Sequence, residues 1–136
     1  MSYSDDEFWI WVKLSEQYEE AVLNKNPKFF DELYEKAKAS SYVRSSFYSR
    51  RSSCSAPRIE LQFYRDNMPK VMKILEDYME GYEDIESTYE LIKITVIGEE
   101  EQKEIDEYIE IYTERKIAEV FQILQSNSAR VQQNIP

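Results

Sequence analysis

The sequence predicts an α+β fold, a small antiparallel sheet backed by helices and followed by one long C-terminal helix. Three observations carry that expectation. Alternating or β-branched stretches recur at Phe8–Leu14, Ser41–Ser49, Ile59–Tyr64 and Leu91–Ile97. Segments of helical period separate the first from the second and the third from the fourth. A helical stretch from about Glu99 to Gln125 then ends the patterned part of the chain. At 136 residues and 42% hydrophobic, the chain is of a size to bury one core. One domain is expected over residues 1–126, with a flexible polar tail over 127–136.

Phe8–Leu14, FWIWVKL, reads as a strand with Phe8, Ile10, Val12 and Leu14 on one face and Trp9, Trp11 and Lys13 on the other. Apolar groups on both faces suit an inner strand, and the residues are aromatic or β-branched. The rival is a helix opened by a Ser4–Glu7 capping box, with Phe8, Trp11, Val12, Ser15, Tyr18 and Val22 in line. From Ser15 the period is helical through Tyr18, Ala21 and Val22. Asn24-Lys25-Asn26-Pro27 interrupts it. Asn26 as N-cap and Pro27 at the first helical position start a second helix, burying Phe30, Leu33, Tyr34 and Ala37.

Ser41–Ser49 alternates weakly, as an edge strand does. Arg50–Pro57, RRSSCSAP, is a loop. Ile59, Leu61 and Phe63 alternate cleanly with Glu60, Gln62 and Tyr64. Asn67 caps a helix from Met68, with Pro69 in its first turn and a stripe of Val71, Ile74, Leu75, Tyr78 and Met79 that ends at Gly81. Tyr82–Tyr89 is an acidic connection, and Gly98 breaks the strand LIKITVI. In the last helix Ile105, Tyr108, Ile109, Tyr112, Ile117, Val120, Phe121 and Leu124 are assigned to one face, with Ile111 and Ile123 off it.

The order β-α(α)-β-β-α-β-α places a ferredoxin-like βαββαβ core before a long C-terminal helix. In that layout the first and third strands are the inner pair, and the more polar second strand lies at an edge. A helical Phe8–Leu14 leads instead to an N-terminal helical pair packed on a small βαβα unit.

Charge is unevenly distributed. The net charge of −10 divides into −4 over residues 1–40, +5 over 41–75 and −11 over 76–136. Such a total repels nucleic acid and anionic membranes at long range. No acid lies between Glu35 and Glu60, a span that holds Arg44, Arg50, Arg51 and Arg58. The lone Cys54 excludes an intramolecular disulfide. The acidic N-terminus is unlike a signal peptide, and no apolar run reaches the roughly 20 residues of a membrane span. A cytoplasmic protein without membrane contact is expected.

The chain has no histidine, which removes Ser-His-Asp and Cys-His catalysis and His-ligated zinc. Cys54 beside Arg50, Arg51 and Arg58 has cations to favour its thiolate, but no base is visible. Arg50-Arg51-Ser52-Ser53 resembles a basophilic kinase site. The i, i+4 and i, i+3 pairs Glu100–Glu104 and Glu104–Glu107 lack the oxygen cage of a hard-metal site and read as a solvated helix face. No cofactor or metal is expected.

The residues singled out are therefore those of a binding protein, not an enzyme. Arg44, Arg50, Arg51, Arg58 and Arg65, with Tyr48 and Tyr64, form a candidate anion- or partner-binding set, since guanidinium forks bind carboxylate or phosphate and stack on aromatics. Glu99, Glu100, Glu101, Glu104, Glu107 and Glu110 form a candidate acidic surface, able to imitate a nucleic-acid backbone. The expected role is docking on another protein to regulate, inhibit or assemble it, with a homodimer also expected. The alternative is single-stranded RNA or DNA binding by the Arg- and Tyr-rich 42–65 segment, with Tyr42, Phe47, Tyr48, Phe63 and Tyr64 stacking bases. That would resemble RNA-recognition domains, although RIELQFY lacks their Lys/Arg-Gly-Phe-Gly-Phe run.

Overall fold

The computed structural model describes residues 7–133, and the side chains of residues 7–127. Ser4, the cap of the rival helix, lies outside them. The protein is α+β: a four-stranded antiparallel sheet with five α-helices. Two compact units are distinguished, Met1–Gln102 and Lys103–Pro136.

Phe8–Leu14 is a strand. β1 (Glu7–Leu14) has paired neighbours on both sides, with Ile10 opposite Leu61 of β3 (Arg58–Tyr64) and Val12 opposite Ile94 of β4 (Ile92–Val96). β2 (Ser45–Ser49) pairs only with β3, so the order is β2-β3-β1-β4. The first and third strands thus hold the inner positions and the most polar strand an edge, as its pattern indicates. Helical spacing and strand propensity compete over Phe8–Leu14. Cross-strand pairing over nearly the whole segment decides between them, because strand stability comes from neighbours rather than from the isolated backbone.

The alternation of β1 and β3 is read out as burial. Phe8, Ile10, Val12 and Leu14, with Ile59, Leu61 and Phe63, are all buried on one side of the sheet. β4 adds Ile92, Ile94 and Val96. Against this side pack α2 (Phe29–Lys38), through Phe29, Phe30, Leu33 and Ala37, and α3 (Met68–Met79), through Val71, Met72, Leu75, Tyr78 and Met79. α1 (Glu19–Lys25) precedes α2 and buries Val22.

Several boundaries differ from the sequence expectation for local reasons. α2 starts at Phe29, not Pro27, because Asn26 turns back on itself: its Oδ1 accepts from the Lys28 N–H at 3.0 Å. β2 keeps only Ser45–Ser49 of the alternating stretch, and Ser41 and Tyr42 form a turn. Tyr34 and Ile74 are half-buried and Ala21 is exposed, while Phe29 and Met72 join the core. The acidic connection after α3 holds structure of its own. Tyr82 is buried with its ring edge-on to Phe29 at 5.2 Å, and α4 (Thr88–Leu91) takes Leu91 from the expected strand.

Gly98 ends β4 with φ at +109°, a backbone region that glycine enters freely. α5 (Glu99–Gln133) follows and runs beyond the expected end at Gln125. In its first turn, Gln102 closes the exposed edge of β4: its Oε1 accepts from the Val96 N–H at 2.8 Å, and its Nε2 donates to the Ile94 carbonyl at 3.4 Å. A side-chain amide here occupies the place of a fifth strand.

Candidate binding surfaces

Arg58 opens β3 and the other four arginines flank the ends of β2 and β3, and the sheet separates them. Residues opposite one another in register share a face. Tyr64 stands opposite Glu7, and Phe47 opposite Glu60, which is itself opposite Trp11. These residues, with Trp9, Lys13, Arg58, Gln62, Lys93 and Thr95, line the face opposite α2 and α3, here termed the outer face. Tyr48, opposite the buried Ile59, is on the helix-backed side.

On the outer face Arg44 stacks over the Tyr64 ring, its guanidinium carbon 4.7 Å from the centroid, and pairs with the Glu7 carboxylate. Gln62 donates to the second Glu7 oxygen at 2.7 Å. Arg58 lies 5.0 Å over Trp11 and 3.6 Å from Glu60. On the other side Arg50 stacks on Tyr48 at 4.7 Å and meets Asp31 of α2 at 3.3 Å. Burial raises the Tyr48 hydroxyl above its usual pKa, helped by Asp31 and opposed by Arg50. Arg51 pairs with Glu19 of α1, and Arg65 lies 5.3 Å over the buried Phe8 ring.

The five arginines therefore do not form one cationic projection. Each is held against an aromatic ring or a carboxylate of the same chain, on one side of the sheet or the other. The structure brings Arg44 together with Tyr64, and Arg58 with Trp11. It separates both from Arg50 and Tyr48. Two of the arginines still reach solvent freely: the Arg50 side chain is 74% exposed and that of Arg51 60%. Exposed pairs of this kind contribute about 0–1 kcal/mol each. Arg50–Pro57 is the expected loop, turned by a Ser52 N–H to Ser55 carbonyl bond of 3.0 Å, with Cys54 exposed at its tip.

The outer face also carries Trp9, which neither candidate set included, and Phe47, which only the base-stacking alternative named. Trp9 is 44% exposed and Phe47 58%, with Tyr64 at 37%. The signal was present in FWIWVKL: the tryptophans occupy the strand positions that alternate away from the core. Two N–H donors there, Trp11 Nε1 and Arg58 Nε, lack an acceptor among the described residues. Lys13 stands directly opposite Lys93 across the β1–β4 pair, a like-charge juxtaposition that costs stability.

The acidic candidates follow α5. Glu99 and Glu100 are exposed and Glu101 is half-buried in the first turn. Further along, Glu107 and Glu110 are exposed and Glu104 is half-buried. Among the described residues no three His, Cys, Asp or Glu side chains group to hold a metal ion, and no helix is long and apolar enough to cross a membrane.

Beyond Tyr112, α5 departs from the single buried stripe assigned to it. Ile105 is buried and Tyr108, Ile109 and Tyr112 are half-buried, but Ile117, Val120, Phe121, Ile123 and Leu124 are each 55–65% exposed. At about 100° per residue, Ile117, Val120, Phe121 and Leu124 centre roughly 100° around the helix from Ile105, Ile109 and Tyr112. Ile123, five turns from Ile105, is in line with it, which corrects its off-face assignment. A shallow concavity lined by Glu119, Gln122, Ile123, Ser126 and Asn127 is formed by this one helix.

Comparison with protein-family models, with curated proteins and with solved structures finds no match for this chain.

Proposed function

We propose that this protein acts without catalysis, by docking on another protein to regulate, inhibit or assemble it, and that the outer face of the sheet is the docking surface. The observation that carries the reading is the exposure of Trp9, Phe47 and Tyr64 on one rigid face, flanked by Arg44 and Arg58. Aromatic residues and arginine are the types enriched in the anchoring centres of protein interfaces. The mixed charges of this face, with Glu7 and Glu60 already engaging Arg44 and Arg58, suit a protein surface better than a polyanion.

The order β2-β3-β1-β4, with helices between β1 and β2 and between β3 and β4, supports reading the first unit as ferredoxin-like. In that fold one face of the sheet is left for contact while the other holds the helices. A cytoplasmic setting belongs to the same reading and is supported by the single, exposed Cys54.

Single-stranded nucleic acid is the second reading for the same face. The exposed aromatics favour it, as does the Lys13–Lys93 pair, whose repulsion an anion would relieve. The compensated arginines and the net charge of −10 weigh against it. The acidic stretch of α5 keeps its reading as a nucleic-acid mimic on charge alone and ranks below both.

The test compares proteins retained from the native host by the wild-type chain, by Trp9→Ser plus Phe47→Ser, and by Arg50→Ala plus Arg51→Ala. One stoichiometric partner, lost with the first variant and kept with the second, is expected. The purified partner should bind the Trp9→Ser, Phe47→Ser chain roughly tenfold or more weakly. Equal retention by the first variant removes the outer face from the proposal. Saturable binding of labelled single-stranded RNA at low salt, abolished by Arg44→Ala plus Arg58→Ala, would transfer the site to the second reading.

A further inference from the structure

The two edges of the sheet are finished differently. At β4, Gln102 takes up the outward N–H of Val96 and the outward carbonyl of Ile94. The register carries the same alternation across to β2. Val96 is level with Ile10, Leu61 and Ser46, and Ile94 with Val12, Ile59 and Tyr48. Residues level with one another in an antiparallel sheet bond in alternate pairs. Ile10 therefore bonds Leu61 and Val12 bonds Ile59, which turns the backbone groups of Ser46 and Tyr48 away from β3. The Arg44 N–H donates to the Gln62 carbonyl at 2.8 Å, so Gln62 faces β2 and Leu61 faces β1, in the same phase. Among the described residues, no backbone group outside the sheet meets the outward groups of Ser46 and Tyr48. SSFYS also holds neither proline nor a charged side chain, the usual deterrents to strand addition at an edge.

We propose that this open edge pairs with the same edge of a second copy of the chain, antiparallel about a two-fold axis at Phe47. Outward N–H and C=O groups in strand spacing are matched by another strand edge. Each copy has one such edge to offer, because Gln102 fills the one at β4. In the two-fold register Ser46 exchanges both bonds with Tyr48 of the partner subunit, and Tyr48 does so with the partner's Ser46. Every outward group of these residues is then satisfied.

The side chains fit the same register. Phe47, 58% exposed, stands beside the partner's Phe47 on the outer face. On the helix-backed side the small Ser46 is level with the partner's Tyr48, and Ser45 is level with the partner's Ser49. Charge admits this approach as well. The seam is uncharged, no acid lies between Glu35 and Glu60, and the flanking Arg44 and Arg50 are balanced by Glu7 and Asp31 of their own chain. On a chain of net charge −10, such a seam is where a second copy meets least repulsion. The product is one continuous sheet whose remaining edges are both closed by Gln102, so assembly stops at two copies.

Sedimentation across a range of loading concentrations reads the mass, and cross-linking reads the register. The wild-type chain is expected to reach the mass of two copies. Ser46→Pro removes an N–H that β3 does not use, and is expected to weaken association roughly tenfold or more. Ser46→Ala and Trp9→Ser are expected to leave it unchanged. Circular dichroism checks that each variant folds; if Ser46→Pro does not, Phe47→Lys, which sets two cations together at the axis, serves in its place. With Cys54→Ser, Phe47→Cys is expected to give a disulfide-linked dimer on mild oxidation, since the two Cα atoms lie about 4.5 Å apart. Ser49→Cys in the same background is not, its two copies being roughly 13 Å apart along the strands. A chain that stays monomeric at every concentration overturns the proposal, as does a dimer indifferent to Ser46→Pro and Phe47→Lys. Cross-linking through position 49 in preference to 47 overturns the register. None of these outcomes depends on the partner proposed for the outer face.

Discussion

Tyr78 shows how a single hydroxyl ties two helices together. Its O–H donates to the Phe29 carbonyl at 2.9 Å, at the first residue of α2, where a turn of backbone is settling into helix. Burial is the main cause that pushes the phenol far above its ordinary pKa, aided by the neighbouring Tyr82 hydroxyl and by Glu32. A folded-state pKa above the unfolded value means that the stabilisation is complete below pH 10 and lost as pH rises beyond it. Tyr78→Phe should therefore cost about 1 kcal/mol at neutral pH, by removing the hydrogen bond to the Phe29 carbonyl. The gap between wild type and variant should narrow under alkaline conditions. Urea unfolding at pH 7 and above pH 10 measures both. An equal gap at the two pH values would separate the hydroxyl from the packing.

At the scale of the element, the β4–α5 junction depends on one residue. Gly98 has φ at +109°, and a Cβ built there meets the Glu101 carboxylate. The carboxylate is the mobile end of a side chain and can move aside; the backbone conformation cannot be adopted cheaply by an L residue. Gly98→Ala is expected to cost about 1–2 kcal/mol, read as a lower urea midpoint at unchanged slope. The strand break at Gly98 and the acidic start of α5 were legible in the sequence. The division of α5 was less so. Its apolar residues satisfy helical spacing throughout, yet two sectors are involved, and a list of i, i+3 and i, i+4 pairs does not record a drift of roughly 100°.

For the whole molecule, charge is the governing quantity. Twenty-seven carboxylates and seventeen cations leave a net of −10, and the arginines of residues 44–58 are engaged by Glu7, Asp31, Glu19 and Glu60. Those exposed pairs are each worth little, whereas the repulsion is spread over the surface and screened within about 8–10 Å at ordinary ionic strength. Moving from low salt to about 0.15 M is therefore expected to raise the melting temperature by a few degrees. Scanning calorimetry at two salt concentrations checks the sign; a fall would mean that the arginine pairs outweigh the self-repulsion.

What the sequence determined by itself was local. Alternation in RIELQFY and the β-branched run LIKITVI identified strands, 3.6-residue spacing identified the helices, and the missing histidine removed whole classes of chemistry. Tertiary structure alone decided the rest. Arg44 meets Glu7 across 37 residues of chain, and Tyr78 meets Phe29 across 49. A cluster of arginines in sequence became five separate arrangements on two sides of a sheet, because four of them lie just outside the strand ends and each turns to a ring or carboxylate brought near by folding. Trp9 and Phe47 became part of the exposed face when α2 and α3 took the other side. Contacts made by folding, not composition, assign each charge its partner and each aromatic ring its surroundings.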